Sequence, residues 1–356
     1  MTNENPALGL IDGLRNVLTG QLNVYNDAPA GYALLDFPNH ANVGDSAIWL
    51  GELAYLEDMI GCGPSFVCER TNLDAEALKK NLPAGPIFLT GGGNFGDVWR
   101  EHQLFRESVI DLFPGRRIIQ FSQTLHFADS VLLKKAARIV NRHPNFILFV
   151  RDKRSFEKAE SVFDCPVHLA PDMAFYLGAI PRTVSATCRL LLLLRADRES
   201  TRQGRPLPRD LPEGVKVANW LEEDTYSLSR MEPRRGETVA PQHASRELLY
   251  RNFARHRVSR GIKLLSSADY VITDRLHCHI LCVLLGMPHI ILDNSYGKLS
   301  TFVETWTKHC GLVRMASSLD EAIGMWSQIT KTPGEKLSER LRKHYMVKIR
   351  GSNAFR

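Results

Sequence analysis

The stretch "ADYVITDRLHCHILCVLLGMPHIILDN", Ala268 to Asn294, decides the fold class. Its apolar, β-branched beginning predicts a strand that ends at Thr273. A short apolar helix follows from about Cys278 to Leu285, and Gly286 with Pro288 forms the expected helix stop. The run "HIILDN" then predicts a second strand. Strand, short helix and strand in this order indicate parallel pairing through a crossover helix.

The same alternation recurs along the chain. Further apolar runs of strand length are "GYALLDF", "GPIFLTGGG", "RRIIQFSQ", "NFILFVRD", "CRLLLLLRADR" and "VKVANW". Strands covered by helices on both faces read as continuous apolar runs, as these do. The pattern predicts an α/β fold of two Rossmann-like domains with mainly parallel sheets.

We predict an N-terminal domain over 1–180 and a C-terminal domain over 181–330. Two polar, arginine- and proline-rich stretches, Leu194–Gly214 and Met231–Glu247, are predicted as loops inside the second domain. A basic amphipathic helix over 331–356 has two open interpretations. It packs back across the domains, or it contacts anionic lipid headgroups at the cytoplasmic face of the membrane.

Composition sets the broad class. The chain has 356 residues, 44% of them hydrophobic and 24% charged, which is typical of a globular protein with domains of about 100 to 200 residues. No apolar run reaches the roughly 18 residues of a membrane span, and the N-terminus lacks a signal-peptide pattern, so we expect a cytoplasmic protein. Seven cysteines without a CxxC pair indicate reduced thiols. A net charge of +6 allows an anionic substrate, nucleic acid or membrane surface as partner.

Candidate functional residues follow the predicted strands, where ligands bind in parallel sheets. After "YALLDF", the residues Asn42, Gly44 and Asp45 form a turn that opens a helix near Ser46. Free amides at a helix N-terminus attract anions. Whether Asp45 contacts a ligand or only caps the helix stays open.

The glycine cluster "GGGNFGDVW", Gly91 to Trp99, follows the run "PIFLT". Glycines let the backbone approach a ligand closely. No Gly-Lys-Ser/Thr follows, so the cluster is not a nucleotide-binding P-loop. We favour a ligand-lining role over tight strand-to-helix packing.

Arg151, Asp172, Arg275 and His277 are polar groups at the ends of other apolar runs. Arginine presents a planar fork of donors to carboxylate or phosphate, and histidine exchanges protons near neutral pH. A surface ion pair for Arg151 and a hydrogen-bonded core position for His277 are the alternatives. Metal binding by His277, His279 and a neighbouring cysteine is disfavoured, because the spacing matches no known zinc site.

Five segments in order resemble the polysaccharide pyruvyl transferase family: "NVGDSAI", "GGGNFGD", "VRDKRS", "PDMAF" and "TDRLHCHILCVLLGMPHIILDNSYGK". The resemblance extends from Asn42 to Lys298. It implies a two-domain fold similar to GT-B glycosyltransferases, with an interdomain cleft. It also implies transfer of the pyruvyl group of phosphoenolpyruvate onto two hydroxyls of a sugar, in a polysaccharide or lipid-linked precursor. The product would be a pyruvate ketal, formed with release of phosphate and without a cofactor or metal.

The resemblance implies that Arg275, His277 and Arg151 bind phosphoenolpyruvate. From the chemistry we hypothesise that His277 is the leading acid or base, that Arg275 and Arg151 clamp the anionic donor, and that Asp172 or Asp45 activates or orients a sugar hydroxyl. The remaining substrate-binding candidates are Asn42, Gly44, Gly92, Gly93, Asn94 and Lys298. Aromatic candidates for stacking on sugar rings are Trp220, Tyr296 and Trp306, for which core packing is the alternative.

Two other functions compete with this prediction. A GT-B-type glycosyltransferase would use a nucleotide sugar on the same architecture, since fold does not determine function. The interpretation as a nucleic-acid- or anion-binding protein is supported by the net charge alone. The basic residues are dispersed and form no motif interleaved with aromatics, so we expect no nucleic-acid partner.

Overall fold

The computed structural model describes residues 5–25, 27–28, 30–195, 213–222, 242–293 and 297–330. Tyr296 and the predicted basic helix, 331–356, lie outside the described residues, as does most of both predicted loops. The chain divides into two compact units. We call residues 9–178 and 221–260 the N-terminal unit, and residues 1–8, 179–220 and 261–356 the C-terminal unit.

The N-terminal unit contains a seven-stranded sheet in the order β2-β1-β3-β5-β6-β7, with β4 paired to β5. Every pairing in it is parallel. Its strands are β1 (Ala33–Leu35), β2 (Phe66–Cys68), β3 (Ile87–Leu89), β4 (Gly92–Gly96), β5 (Ile118–His126), β6 (Phe146–Val150) and β7 (Val167–Leu169).

Helices connect these strands. They are α1 (Leu8–Leu22), α2 (Val43–Ile60), α3 (Ala75–Asn81), α4 (Arg100–Leu112), α5 (Ser130–Arg142) and α6 (Lys153–Glu160), with 3₁₀ turns over Asn23–Tyr25 and Met173–Leu177. Helix α7 (Gln242–Ser266) contributes its residues up to 260 to this unit. Because α7 begins at Gln242, the last six residues of the predicted loop Met231–Glu247 are helical.

The C-terminal unit contains a five-stranded parallel sheet in the order β12-β11-β10-β8-β9. Its strands are β8 (Cys188–Leu193), β9 (Val215–Val217), β10 (Ala268–Thr273), β11 (His289–Leu292) and β12 (Val313–Ala316). Its helices are α8 (Leu276–Leu284), α9 (Lys298–Phe302), a π-helical turn (Val303–Thr307) and α10 (Leu319–Thr330). The prediction of an α/β fold with two parallel, Rossmann-like sheets is confirmed.

The cores agree with the continuous apolar runs. All five residues of β6 and the last four of β8 are buried. Residues 221–222 and 242–260 were predicted to belong to the second domain, yet they lie with the N-terminal unit. The physical reason is local: the Tyr250 ring stacks on Phe37 at 4.1 Å, and Arg251 forms an ion pair with Glu57.

Close backbone approach requires glycine at two positions of the N-terminal unit. A Cβ on Gly51 of α2 would lie 2.0 Å from the Met173 carbonyl oxygen, so α2 packs directly on the 3₁₀ turn. A Cβ on Gly96, at φ +147°, would lie 1.6 Å from the His126 carbonyl oxygen. Any larger residue at either place would push these elements apart. None of the described helices has the length and apolar character needed to cross a bilayer.

Candidate active site

Three predicted donor-binding residues follow neighbouring strands of the C-terminal sheet. Arg275 and His277 come after β10, which ends at Thr273, and Lys298 comes after β11, which ends at Leu292. These strands pair in parallel, so their carboxyl ends lie side by side. The structure therefore brings the three residues to one edge of one sheet, where ligands bind in α/β folds.

Helix α8 begins directly at this edge. Its N-cap is Arg275, with extended backbone angles of φ −108° and ψ 122°, and His277 lies in its first turn. The helix starts two residues before the predicted position, Cys278. The first amides of a helix have no intrahelical acceptor and carry partial positive charge. The arginine and the helix N-terminus together favour an anion at this position.

Arg275 is held inside the C-terminal unit. Its side chain is largely buried, and its guanidinium carbon lies 5.9 Å from the centre of the Trp220 ring. An arginine over an indole face at this distance is stabilised by a cation–π interaction. Trp220 is itself only 2% exposed, so the structure favours packing beneath Arg275 over stacking on a sugar.

Side chains also tie β8 to β10 at this edge. The Asp274 carboxylate accepts the Arg195 amide at 2.6 Å, and the Thr273 hydroxyl donates to the Leu193 carbonyl at 2.7 Å. The Arg275 amide donates to the same Thr273 hydroxyl at 3.1 Å. These bonds determine the path of the backbone that presents Arg275 and His277.

Lys298 is the first residue of α9 and is 9% exposed. Gly297 precedes it in the left-handed region, with φ 77°. The Asp293 carboxylate, directly after β11, accepts the amides of Leu299 at 3.1 Å and Ser300 at 3.4 Å. Asp293 therefore caps the helix that carries Lys298.

In the N-terminal unit, helix α2 begins at Val43, three residues before its predicted start. Its N-cap is Asn42, whose side-chain oxygen accepts the Gly44 amide at 3.2 Å. The Asn42 amide group donates to Asp45 at 2.7 Å, and the His40 ring lies 3.6 Å from the same carboxylate. Asn42, and not Asp45, is thus the capping residue.

Arg151 and Asp172 form an ion pair with each other. Both are fully buried, and an Arg151 guanidinium nitrogen lies 2.5 Å from the Asp172 carboxylate. Arg151 also donates to the Thr124 hydroxyl at 2.9 Å, while Asp172 accepts the Ala174 amide at 2.9 Å. The pair joins the ends of β5 and β6 to the 3₁₀ turn.

The glycine cluster contains strand β4, which pairs with β5. Gly92 is buried with φ +127°, whereas Gly93 and Asn94 are half-buried. The Asn94 side-chain oxygen accepts from Arg106 at 2.8 Å and from Gln123 at 2.9 Å. Asn94 is therefore held by its neighbours in a definite orientation.

Glu52 of α2 lies directly beneath this cluster. It is fully buried and accepts the Gly91 amide at 2.7 Å. Burial raises the pKa of the Glu52 carboxyl well above its ordinary value, and the negative charge of Asp172 raises this pKa further. Glu52 therefore favours its protonated form.

Asp36 and His102 form a pair that sequence analysis missed. The His102 Nδ1 atom lies 2.8 and 3.1 Å from the two Asp36 carboxylate oxygens. Asp36 is buried and has φ +71°, the one positive value found for a non-glycine residue among those the structure describes. A carboxylate that orients an imidazole in this way suits proton transfer. Asp36 stands at a strand end, which is a usable signal, but His102 lies inside helix α4, away from any strand end predicted from the sequence.

No group of three or more His, Cys, Asp and Glu side chains within the described ranges has a geometry able to hold a metal ion. Both ring nitrogens of His279, considered above as a ligand, are within hydrogen-bonding distance of other side chains.

The sequence profile described as "Polysaccharide pyruvyl transferase" matches residues 42–296. The chain belongs to the polysaccharide pyruvyl transferase family. The matched range includes the predicted catalytic and substrate-binding residues of this family member except Lys298, which lies two residues beyond it, and it also excludes the aromatic candidate Trp306.

Individual relatives agree with this membership. Pyruvyl transferase 1 of Schizosaccharomyces pombe is 33% identical over 309 residues, covering 82% of this chain and 74% of that protein. EpsO of Bacillus subtilis is 29% identical over 306 residues, covering 82% of this chain and 90% of that protein.

Among solved structures, an uncharacterised protein from Klebsiella pneumoniae is similar in fold. The TM-score is 0.54 at 17% identity, covering 89% of this chain and 100% of that chain. At this identity the likeness concerns the fold alone.

Proposed function

We propose that this family member transfers the pyruvyl group of phosphoenolpyruvate onto two hydroxyls of one sugar, giving a cyclic pyruvate ketal and phosphate. The observation that carries the proposal is the placement of Arg275, His277 and Lys298 at one edge of the C-terminal sheet. Two cationic side chains and an imidazole together suit a small anionic donor.

The negative charge of phosphoenolpyruvate explains why its site needs cationic side chains. Phosphoenolpyruvate carries a carboxylate and a phosphate on a three-carbon unit, so its binding needs at least two cationic groups. Arg275 offers two parallel N–H donors to one of them, and Lys298 supplies a compact charge to the other. The N-terminus of α8 adds partial positive charge beside Arg275.

The chemistry also needs a proton donor, for which His277 is our candidate. Protonation of the donor's methylene carbon makes the central carbon electrophilic, and one sugar hydroxyl attacks it. The bond from this carbon to the phosphate oxygen then breaks, and the second hydroxyl closes the ketal. Of the two hydroxyl protons released, one balances the proton that enters the methyl group, and the other leaves with the departing phosphate. Histidine can both give and take such protons near neutral pH.

The acceptor proposed is a sugar within a polysaccharide or its lipid-linked precursor. Asp45, half-exposed beside Asn42, stays a predicted orienting group for a hydroxyl, as does the buried Asp172. Cytoplasmic location and contact with the membrane face also stay predictions, because residues 331–356 lie outside the described part of the chain.

The test is to incubate the protein with phosphoenolpyruvate and a panel of glycans. We expect release of inorganic phosphate and an acceptor whose mass increases by one pyruvate ketal. Parallel reactions with nucleotide sugars test the glycosyltransferase alternative. Release of nucleoside diphosphate with transfer of a sugar, and no ketal from phosphoenolpyruvate, would contradict the proposal.

A further inference from the structure

Two buried histidines lie behind the proposed donor site. His279 is on α8, two residues after His277, and His289 is the first residue of β11. Both are fully buried, and the His279 Nδ1 and His289 Nε2 atoms are 2.7 Å apart. Neither histidine has a role in the reaction proposed above.

The donor and the acceptor can be assigned for each hydrogen bond of these two histidine rings. The His289 Nδ1 atom lies 2.9 Å from the Met287 carbonyl oxygen, which can only accept, so this nitrogen carries a proton. In a neutral ring the His289 Nε2 atom then accepts from His279 Nδ1–H. The remaining His279 Nε2 atom accepts from the Thr307 hydroxyl at 2.9 Å. We call this series the histidine chain: Thr307, His279, His289 and the Met287 carbonyl.

The histidine chain joins the elements that carry the proposed donor-binding residues. The His279 amide donates to the Arg275 carbonyl at 3.1 Å, the first hydrogen bond of α8. The His279 ring also packs edge-on against Phe302, 6.1 Å between centres, at the end of α9. Helix α9 begins with Lys298. One imidazole thus contacts α8, α9, the π-helical turn and β11.

Both rings are held in the neutral form. Burial lowers the pKa of His279 well below its ordinary value, and the neighbouring His289 lowers it further. Burial also lowers the pKa of His289 to about 4, against a small raising effect of the Met287 carbonyl. Cys278 and Cys282 are the other ionisable side chains on the buried part of α8, while Glu304 and Lys308 pair with each other at the surface. The causes that shift the two imidazole pKa values are burial, the neighbouring His289 and the Met287 carbonyl, and none of these four side chains.

We propose that His279 and Thr307 are positioning residues for the transfer reaction. Through the histidine chain they hold α8 and α9 so that Arg275, His277 and Lys298 keep one arrangement around the donor. This inference rests on the proposed function. Neither His279 nor Thr307 is assigned a contact with the donor, because the ring nitrogens of His279 and the hydroxyl of Thr307 are within hydrogen-bonding distance of other protein groups.

The discriminating variants are Thr307→Val and Thr307→Ser. Valine has nearly the same shape but no hydroxyl, so the His279 Nε2 atom loses its donor, whereas serine keeps the donor. Thr305→Val is the matched control, because the Thr305 hydroxyl in the same turn donates to the Thr301 carbonyl at 2.7 Å. Steady-state kinetics with phosphoenolpyruvate are measured on the full chain, at concentrations corrected for the folded fraction.

We expect Thr307→Val to raise the KM for phosphoenolpyruvate and to lower kcat/KM by about tenfold, since small misplacements of binding groups are costly. Thr307→Ser and Thr305→Val should stay within about twofold of wild type. If Thr307→Val melts below wild type but keeps its kcat/KM per folded molecule, the role is structural and the positioning proposal is wrong.

A second readout does not depend on activity. In ¹⁵N-histidine spectra, wild-type His279 and His289 should both be neutral and protonated on Nδ1 at neutral pH. Thr307→Val should shift the His279 signals, and Thr305→Val should not. A His279 protonated on Nε2 would overturn the histidine chain. Wild type that releases no phosphate from phosphoenolpyruvate with any acceptor would instead contradict the proposed function, and the positioning role with it.

Discussion

At the scale of single residues, Arg151 shows how one sequence pattern serves two purposes. An arginine at a strand end can clamp an anion, but here its guanidinium pairs with the equally buried Asp172. A buried ion pair becomes costly when one partner is removed, because the other charge is left without compensation. The side chain therefore has a structural task whether or not it also meets the donor.

Arg151→Met should lower the free energy of unfolding by about 3 to 5 kcal/mol, measured by urea denaturation. The matched control is Arg142→Met, which breaks an exposed pair with Asp111 at 3.7 Å and should cost less than about 1 kcal/mol. Unchanged stability together with lost binding of phosphoenolpyruvate would instead favour the predicted role as an anion clamp.

At the scale of elements, packing is closest where α2 crosses the 3₁₀ turn over Met173–Leu177. Gly51 leaves no room for a side chain, since its Cβ would meet the Met173 carbonyl. The same helix carries Asn42 and Asp45 at its N-terminus and Glu52 beneath the glycine cluster. The distance between α2 and the 3₁₀ turn thus affects the positions of several predicted site residues.

Gly51→Ala should destabilise the protein by about 1 to 3 kcal/mol, because the helix must move away from the turn. Gly13→Ala is the control: Gly13 lies in α1 with no atom within 4 Å of the added Cβ, and alanine is the better helix former. Thermal unfolding should show a lower Tm for the first variant and an equal or higher Tm for the second. Equal Tm values for both would mean that α2 does not pack closely on the turn.

The contact between α8 and β11 predicts a pH dependence of stability. The pKa of His289 falls from 6.5 in the unfolded chain to about 4 in the folded state, so the unfolded chain binds a proton first. Stability from this residue is complete above about pH 6.5 and is lost as the pH falls toward 4, by about 3 kcal/mol. Over this pH range the free energy of unfolding of wild type should fall by about 3 kcal/mol more than that of His289→Gln, whose amide can keep both hydrogen bonds. Urea denaturation at several pH values measures these free energies of unfolding. The exposed control, His309→Gln, should lose as much stability as wild type. An equal loss in His289→Gln would contradict the prediction.

At the scale of the whole molecule, the sequence predicted the fold better than the site. Continuous apolar runs identified β1, β3, β5, β6, β8, β10 and β11, because these strands are covered on both faces. The short run "VKVANW" also identified β9, although this edge strand is largely exposed. The edge strands β2 and β12 were missed: the apolar run of β2 is cut short by Ser65 and Glu69, and β12 exposes Arg314 and Met315. Strand β4 was not predicted, because glycine disfavours strands, yet the long strand β5 provides it with a partner.

The site was predictable where it is local in sequence. Arg275, His277 and Lys298 follow strand ends within one motif, so the sheet topology places them. The Asp36–His102 pair joins residues that are 66 positions apart, and nothing in the sequence around His102 indicates its partner. Likewise, the ring nitrogens of His279 find their partners only through the packing of α8 on β11 and on the π-helical turn.

In the proposed reaction, His277 transfers a proton while the edge of the C-terminal sheet holds phosphoenolpyruvate. The most direct test is the rate of phosphate release from phosphoenolpyruvate by His277→Ala, with the exposed His309→Ala as control. We expect a fall of about 100- to 10,000-fold for His277→Ala with an unchanged circular dichroism spectrum, and no fall for the control. A folded His277→Ala variant that works within a few-fold of wild type would contradict the account.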